Sequence, residues 1–317
     1  MRQIGLPTVI ALAVALVAIS SSAPMIAFAA APGLAIAFWR NTLAVTALAP
    51  VAVNGARRRE LLDLLRPDGR RPLLVCVLAG LFLAVHFGTW IPSAQLTSVA
   101  MAAALVSTTP VWTAVIAAVR GIHVPWTTWL GIGIAVLGVA LATGADLNVS
   151  DRALFGDALA LAGGAAAAVY TTYGQHARES VSTTAYTTVC YSICAVVLGL
   201  TCLAAGVPVL GFPTSTWVAI VAMTVGPQLL GHSLINYSLH RLSATTVAVL
   251  LLLEVPGAVL IAWAFLDQLP DARSVPGLVI LMVGVTVVVA GTGWRRTGQD
   301  QPTNGGTEIS PEAIGTT

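Results

Sequence analysis

Long apolar runs recur along the whole chain, and they constrain its fold more than any other feature. A run of about 18 or more residues with few charges is long enough to cross a hydrocarbon layer of roughly 30 Å. The 317 residues are 57% hydrophobic and only 9% charged, whereas an average soluble domain has roughly 25% charged residues. Because the runs are continuous and rich in Ala, Leu and Val, they predict helices rather than barrel strands. The sequence therefore predicts an all-α integral membrane protein.

Ten transmembrane spans can be drawn, at residues 6–29, 33–53, 73–91, 99–119, 125–143, 155–174, 184–205, 215–237, 245–266 and 275–292. With the N-terminus inside, twelve Arg residues fall on the cytoplasmic side and only Arg152 and Arg273 fall outside, in agreement with the positive-inside rule. We therefore expect a multi-pass protein of the cell inner (plasma) membrane with both termini in the cytoplasm. Residues 297–317 are polar and rich in Gly, Pro and Thr, a composition that predicts a disordered cytoplasmic tail.

The two halves of the chain are related by an internal repeat. A shift of 146 positions aligns them without a gap over three spans and superimposes His86 on His232, Pro110 on Pro256 and Gly138 on Gly284. Five spans per copy is an odd number, so the second copy must be inverted relative to the first. Inverted repeats are typical of secondary transporters, whose substrate site lies between the copies near the bilayer midplane. We predict ten transmembrane helices as two inverted five-helix repeats, residues 1–145 and 153–295.

Two ionisable residues lie deep in predicted spans. Arg40 is about seven residues into the second span, roughly 11 Å deep, and Glu254 is about nine residues into the ninth span, roughly 14 Å deep. Buried charges in a membrane are costly, and they face a partner or a water-filled path. Arg40 and Glu254 are therefore either a structural ion pair, two separately satisfied groups, or residues that handle the substrate or a proton.

Further polar side chains form rows at helical spacing. His86 and Trp90 are four residues apart, and Gln228, His232 and Asn236 repeat that spacing in the eighth span, so each set lies on one helix face. An unpaired amide or imidazole in lipid is expensive, which predicts that both rows face the bundle interior. They either line a transport path or hold neighbouring helices together by hydrogen bonds.

Pro110 and Pro256 lie within predicted spans and each removes a backbone hydrogen bond. We expect a helix bend at each, which either serves packing or exposes backbone groups to a cavity.

Several chemistries are excluded or unsupported. All 15 basic residues are Arg, and without Lys the chain has neither a Walker A motif nor a Schiff-base nucleophile. Its four cysteines, Cys76, Cys190, Cys194 and Cys202, lie in apolar runs without a CxxC or Cys/His cluster, so we predict no metal site and no cofactor. The charges flank the membrane, which gives no reason to expect nucleic acid as a partner.

Taken together, these segments resemble the drug/metabolite transporter (DMT) superfamily, EamA-like family, over almost all of residues 1–295. The resemblance rests on His86-Phe87-Gly88-Thr89-Trp90, Leu96-Thr97-Ser98-Val99-Ala100, Val106-Ser107-Thr108-Thr109-Pro110, Gln228-Leu229-Leu230-Gly231-His232, Asn236, Ser243-Ala244 and Leu253-Glu254-Val255-Pro256.

The resemblance implies a central cavity and the movement of small metabolites, amino-acid-like or drug-like, often outward. The expected partners are a small-molecule substrate and the lipid bilayer; coupling to protons and a homodimer are both compatible with the sequence. A passive facilitator or channel is the alternative function. A membrane-embedded enzyme is less favoured, since the chain has no HExxH, G-x-S-x-G or clustered carboxylate motif.

Overall fold

The computed structural model describes residues 5–97, 102, 105–143, 150–257, 260–261 and 275–292. Every regular element in these residues is a helix. Six helices are long and apolar enough to cross a membrane: Leu6–Ile26, Gly33–Ala52, Pro67–Leu96, Asp151–Ala177, Thr183–Ala204 and Thr214–Ser238. Shorter apolar helices are Thr109–Val119, Trp126–Leu141, Ala244–Gly257 and Val275–Val288. An all-α membrane protein is thus confirmed, whereas the number ten and the inverted arrangement stay predictions. The tail 297–317 lies outside the described residues.

The first half contains α1 to α7. Their bounds are Leu6–Ser20 (α1), Ser22–Phe28 (α2), Gly33–Ala52 (α3), Gly55–Leu64 (α4), Arg70–Leu96 (α5), Thr109–Val119 (α6) and Trp126–Thr143 (α7). Proline occupies the first turn of α1 and of α6, where its missing N–H has no intrahelical partner to lose. The polar helix α4 connects α3 with α5 and carries the Arg cluster that the sequence assigns to the cytoplasm.

The second half contains α8 to α13 and one unusual segment. The helices are Asp151–Ala177 (α8), Thr183–Ala204 (α9), Thr214–Met223 (α10), Ser233–Ser238 (α11), Ala244–Leu251 (α12) and Val275–Thr292 (α13). The side chains of Ser150, Ser182 and Ser243 cap α8, α9 and α12 by accepting a hydrogen bond from a first-turn N–H. A π-helical segment, Thr224–His232, joins α10 to α11. Such segments are rare and frequently occur at functional sites.

Helical structure is interrupted one turn before each of the two paired prolines. A turn at residues 107–108 precedes Pro110, and a turn at residues 252–253 precedes Pro256. The physical reason is the same at both places, because a proline ring clashes with the carbonyl one turn earlier and cannot donate a hydrogen bond to it.

The helices α7 and α13 cross with their backbones in direct contact. A Cβ added at Gly138 would lie 2.3 Å from the Leu281 nitrogen, and one added at Gly284 would lie 2.4 Å from the Ala135 nitrogen. Small residues permit this approach, which is how helices associate where lipid removes the hydrophobic driving force. Large apolar side chains instead point outward, among them Val9, Val218 and Leu200.

The main core lies among the remaining long helices. α5 packs along α8, α9 contacts both α3 and α5, and the π-helical segment contacts α1 and α3. Aromatic residues fill this core, including Phe87, Tyr170, Tyr186 and Tyr191. These helices also carry most of the polar residues singled out in the sequence.

Candidate functional site

Arg40 lies at the centre of the candidate site with only 1% of its surface exposed. It projects from α3, where its Nη1 donates to Ser22 Oγ at 3.3 Å and its Nη2 donates to Gln228 Oε1 at 3.2 Å. Its guanidinium carbon stands 4.8 Å from the ring centre of Phe87, a cation–π contact. The Nε atom is buried without a hydrogen-bond partner among the described residues.

Gln228 and Asn41 link the π-helical segment to α3. Both side chains are fully buried. Gln228 Nε2 donates to Asn41 Oδ1 at 3.2 Å, while Asn41 Nδ2 donates to the Ala37 carbonyl at 2.9 Å. The predicted site residue Gln228 therefore contacts Arg40 through its oxygen and Asn41 through its nitrogen.

His86 is held by a backbone carbonyl and by an aromatic ring. Its Nδ1 is 2.9 Å from the Gly163 oxygen, and because a carbonyl only accepts, Nδ1 is the donor. The imidazole stacks on Trp90 with an interplanar angle of 4° and a centroid distance of 5.7 Å. The four-residue spacing of His86 and Trp90 thus produces a contact on one face of α5.

His232, the repeat-related partner of His86, approaches it directly. Their ring centres are 6.4 Å apart. The His232 ring also meets Phe87 edge-on at 5.1 Å and lies 6.3 Å from Tyr170. Its Nδ1 is buried without a partner in the described part of the chain.

Asn236 of α11 is fully buried one turn further along the chain than His232. Its Oδ1 accepts a hydrogen bond of 2.9 Å from the Tyr170 hydroxyl. Its Nδ2 has no partner within the described residues, although its backbone carbonyl accepts from Arg178 Nε at 3.2 Å. Asn236 consequently connects the aromatic cluster with the end of α8.

Glu254 is half-buried in the short helical stretch after the turn at residues 252–253. Among the described residues, no ion pair within 4.0 Å joins it to Arg40. The two groups are therefore not a contact ion pair in this conformation.

Several site residues were missed by sequence reasoning. Phe87, Asn41 and Ser22 touch Arg40 or its partner Gln228, and Tyr170 touches Asn236. Phe87 and Asn41 adjoin predicted residues, which is a usable signal. Tyr170 follows the Gly- and Ala-rich run 162–168 of α8, and only tertiary packing shows what it contacts.

A second polar cluster lies at the end of the bundle that the charge distribution assigns to the cytoplasm. Glu60 of α4 accepts hydrogen bonds of 2.6 Å from both the backbone N–H and the hydroxyl of Ser182, and Arg57 pairs with Glu60 at 3.3 Å. Burial acts to raise the pKa of Glu60, but the bonds from Ser182 and the charge of Arg57 bring it below its usual value.

Arg178 extends this second cluster across the ends of α8 and α11. It donates to the Val181 carbonyl and to Asn236, and its own carbonyl oxygen accepts from His240 Nδ1 at 2.8 Å. Burial lowers the pKa of Arg178, partly offset by the nearby Glu60 charge.

The described residues contain no group of three or more His, Cys, Asp or Glu side chains arranged to hold a metal ion. All four cysteines are free and buried.

The fold and the buried polar site are those of a polytopic helical membrane protein. The sequence pattern of the EamA-like transporter family matches residues 6–144 and 154–290, so the chain belongs to this family, as the sequence resemblance predicted. One solved structure, described only as "Crystal structure of protein", is 17% identical, covers 89% of this chain and 96% of its own, and superposes with a TM-score of 0.72. At that identity the likeness concerns the fold alone. No curated protein is detectably similar to the chain.

Proposed function

We propose that this membrane transporter is a secondary carrier that moves small metabolites, amino-acid-like or drug-like, out of the cell by alternating access. Its family and its apolar helices support a multi-pass transporter.

The contact between α7 and α13 supports an inverted repeat formed by residues 1–145 and 153–295. The repeat pairs Gly131 with Gly277 and Gly138 with Gly284. In the structure a Cβ at Gly131 would meet the Gly284 oxygen at 2.9 Å, and one at Gly138 would meet the Gly277 oxygen at 2.8 Å. Each glycine thus contacts the partner of the other, which is the pattern expected of a two-fold axis between the copies.

The observation that most strongly supports the proposal is that buried polar atoms without partners lie around the aromatic cluster of Phe87, His232 and Tyr170. Arg40 Nε, His232 Nδ1 and Asn236 Nδ2 are buried and have no hydrogen-bond partner within the described residues. Unsatisfied polar groups cost about 1–3 kcal/mol each, which structural glue alone does not explain. A substrate or water that enters the bundle would satisfy them. We therefore assign Arg40, His232 and Asn236 to the path.

The remaining predicted residues complete the proposed path. His86 and Trp90 form the part of the path's wall that the first repeat contributes. Gln228 lies on the side of the path next to Arg40. The helix breaks before Pro110 and Pro256 provide the bends that alternating access requires. Gln228, whose side-chain oxygen and nitrogen both have hydrogen-bond partners inside the protein, is suited to positioning its neighbours along the path.

Glu254 is proposed as the coupling group. Its carboxyl group lies near the buried cation Arg40, and no ion pair joins the two among the described residues. Such a carboxyl group is able to release a proton when it faces water and to bind one when enclosed. We infer that the protein lies in the plasma membrane with both termini in the cytoplasm and that it couples substrate movement to protons. A homodimer remains a prediction from the sequence.

Counterflow in proteoliposomes tests the proposed function. Purified protein is reconstituted with a preloaded panel of metabolites, and uptake of the labelled solute is followed with protein-free liposomes as the control. A carrier gives saturable uptake that is accelerated by the same solute on the opposite side. Uptake that rises linearly with concentration and shows no counterflow would identify a passive facilitator. No protein-dependent flux of any solute would reject both.

A further inference from the structure

The charge of Arg40 is incompletely satisfied. Its hydrogen bonds of 3.3 and 3.2 Å go to the neutral oxygens of Ser22 and Gln228, whereas charge-assisted bonds to an anion are about 2.7–2.9 Å long. A guanidinium has five N–H donors, and here Nε is buried without a partner in the described part of the chain. Among the described residues no anion is in contact with Arg40, and Glu254 forms no ion pair with it; a buried cation without such a contact is costly. The site therefore favours an incoming anion.

Gln228 occupies the place that an anion would take. Its Oε1 faces Arg40 as a carboxylate oxygen would, and its Nε2 is held by Asn41 on the same helix as Arg40. A carboxylate has the shape of this amide but a full negative charge. Replacement of the amide by a carboxylate would thus exchange a weak neutral acceptor for a charged one.

The backbone that carries Gln228 differs between the two copies of the repeat. Gln228 belongs to the π-helical segment Thr224–His232. The gapless repeat superimposes Gly226–His232 on Gly80–His86, which is regular α-helix within α5. The same number of residues therefore forms two different helices in the two copies. Pro227, where the first copy has Leu81, cannot donate the backbone hydrogen bond of a regular α-helix, so the displacement of Gln228 from Arg40 is a movement of its side chain.

The surroundings indicate the rest of the ligand. Phe87 contacts both Arg40 and His232, and Tyr170 lies next to His232 and Asn236. The unpaired Asn236 Nδ2 and Arg40 Nε are donors and call for acceptors. Arg40 contacts Phe87 and Asn236 contacts Tyr170, so the two donors lie at opposite ends of the aromatic cluster. This lining suits a monoanionic head group at Arg40 on an apolar, ring-bearing body.

We propose that Arg40 binds the carboxylate group of the transported solute, and that Gln228 is a placeholder for this carboxylate in the empty carrier. The inference rests on the proposed function, since it names the substrate class of the same site. It excludes cations as preferred substrates and assigns Gln228 a role in specificity: it competes with the solute for Arg40.

Thermal unfolding of the purified full-length protein in detergent tests this binding. The probes are phenylacetate, benzoate and acetate, with phenylacetamide as the neutral and benzylamine as the cationic comparison. Carboxylates should raise the unfolding midpoint in a saturable manner, and phenylacetamide and benzylamine should not. Arg40→Gln should weaken phenylacetate binding at least tenfold, and Arg40→Lys should retain part of it, since a point charge lacks the bidentate geometry.

Gln228→Leu is the sharper variant because it keeps the volume but removes the competing acceptor. Without a probe its midpoint should fall, as Arg40 loses a partner; with phenylacetate the midpoint should recover, and the apparent affinity should increase roughly tenfold. Leu230→Ala, on an exposed side chain of the same π-helical segment, is the matched control and should leave the affinity unchanged.

The outcomes separate this inference from the proposed function. The inference is wrong if no carboxylate stabilises the protein, if phenylacetamide or benzylamine stabilises it equally, or if folded Arg40 and Gln228 variants bind phenylacetate like the wild type. Saturable counterflow of neutral or cationic solutes alone would keep the carrier and reject the carboxylate. Carboxylate binding at Arg40 without any flux would keep the site and reject the carrier.

Discussion

The contact between α7 and α13 gives a quantitative prediction for Gly138→Ala. The added Cβ would lie 2.3 Å from the Leu281 nitrogen, 2.7 Å from its Cα and 2.8 Å from the Gly277 oxygen, whereas carbon atoms in contact are about 3.5–4.0 Å apart. All three are backbone atoms, so no side-chain rotation relieves the clash and the two helices must separate. Overpacking of this kind costs about 1–3 kcal/mol. A loss of about 2 kcal/mol lowers the ratio of folded to unfolded protein roughly 30-fold.

Gly133→Ala is the matched control, because it lies in the same helix and its added Cβ would meet nothing within 4 Å. The assay is denaturant titration of both variants in mixed micelles, followed by tryptophan fluorescence. Gly138→Ala should unfold at a clearly lower denaturant concentration than the wild type, and Gly133→Ala should not. Gly284→Ala, whose Cβ would lie 2.4 Å from the Ala135 nitrogen, should resemble Gly138→Ala. Equal stability of Gly138→Ala and Gly133→Ala would refute the close crossing and the two-fold argument built on it.

Three further predictions concern the polar residues. Because the folded-state pKa of Glu60 lies below its usual 4.5, its bonds to Ser182 stabilise the fold above that pH, and this contribution is lost as the pH falls through the folded pKa. Glu60→Gln should cost about 1 kcal/mol at pH 7 and flatten the acid limb of a stability-versus-pH curve; an unchanged limb would contradict this. Glu254→Gln should fold and exchange substrate for substrate but lose flux driven by a pH gradient, and wild-type flux under that gradient would remove Glu254 as the coupling group. His232→Ala should reduce counterflow at least tenfold, whereas Leu230→Ala on an exposed side chain should have little effect; equal activity of the two would remove His232 from the path.

Sequence reasoning was strongest where the bilayer itself imposes a pattern. Apolar length and the Arg distribution follow from the hydrocarbon core and the membrane surface, so the all-α membrane class and the family followed from local information. The interruptions before Pro110 and Pro256 have an equally local cause in the proline ring. The π-helical segment Thr224–His232 has a local mark in Pro227, where the α-helical copy in α5 has Leu81, but that proline predicts only a disturbed helix and not a π-helix.

The environment of Arg40 shows why a site is harder to predict than a span. Charge alone suggested Glu254 as a partner, but the described contacts of Arg40 are Ser22, Gln228 and Phe87. These residues come from α2, the π-helical segment and α5, and their convergence depends on how those helices cross. Helical spacing predicts which residues share one face, as with His86 and Trp90. It does not predict which face meets another helix, and that crossing determines the partners.

The central claim, an aqueous substrate path past His232, is tested most directly by the accessibility of that position. His232→Cys is reconstituted in liposomes and treated with a membrane-impermeant thiol reagent, with Leu230→Cys as the lipid-facing control and the wild type, whose four cysteines are buried, as the background. The account predicts that the impermeant reagent modifies His232→Cys, that a transported solute slows the modification, and that Leu230→Cys reacts only with a lipid-soluble maleimide. Modification of His232→Cys by the lipid-soluble maleimide alone would contradict the account.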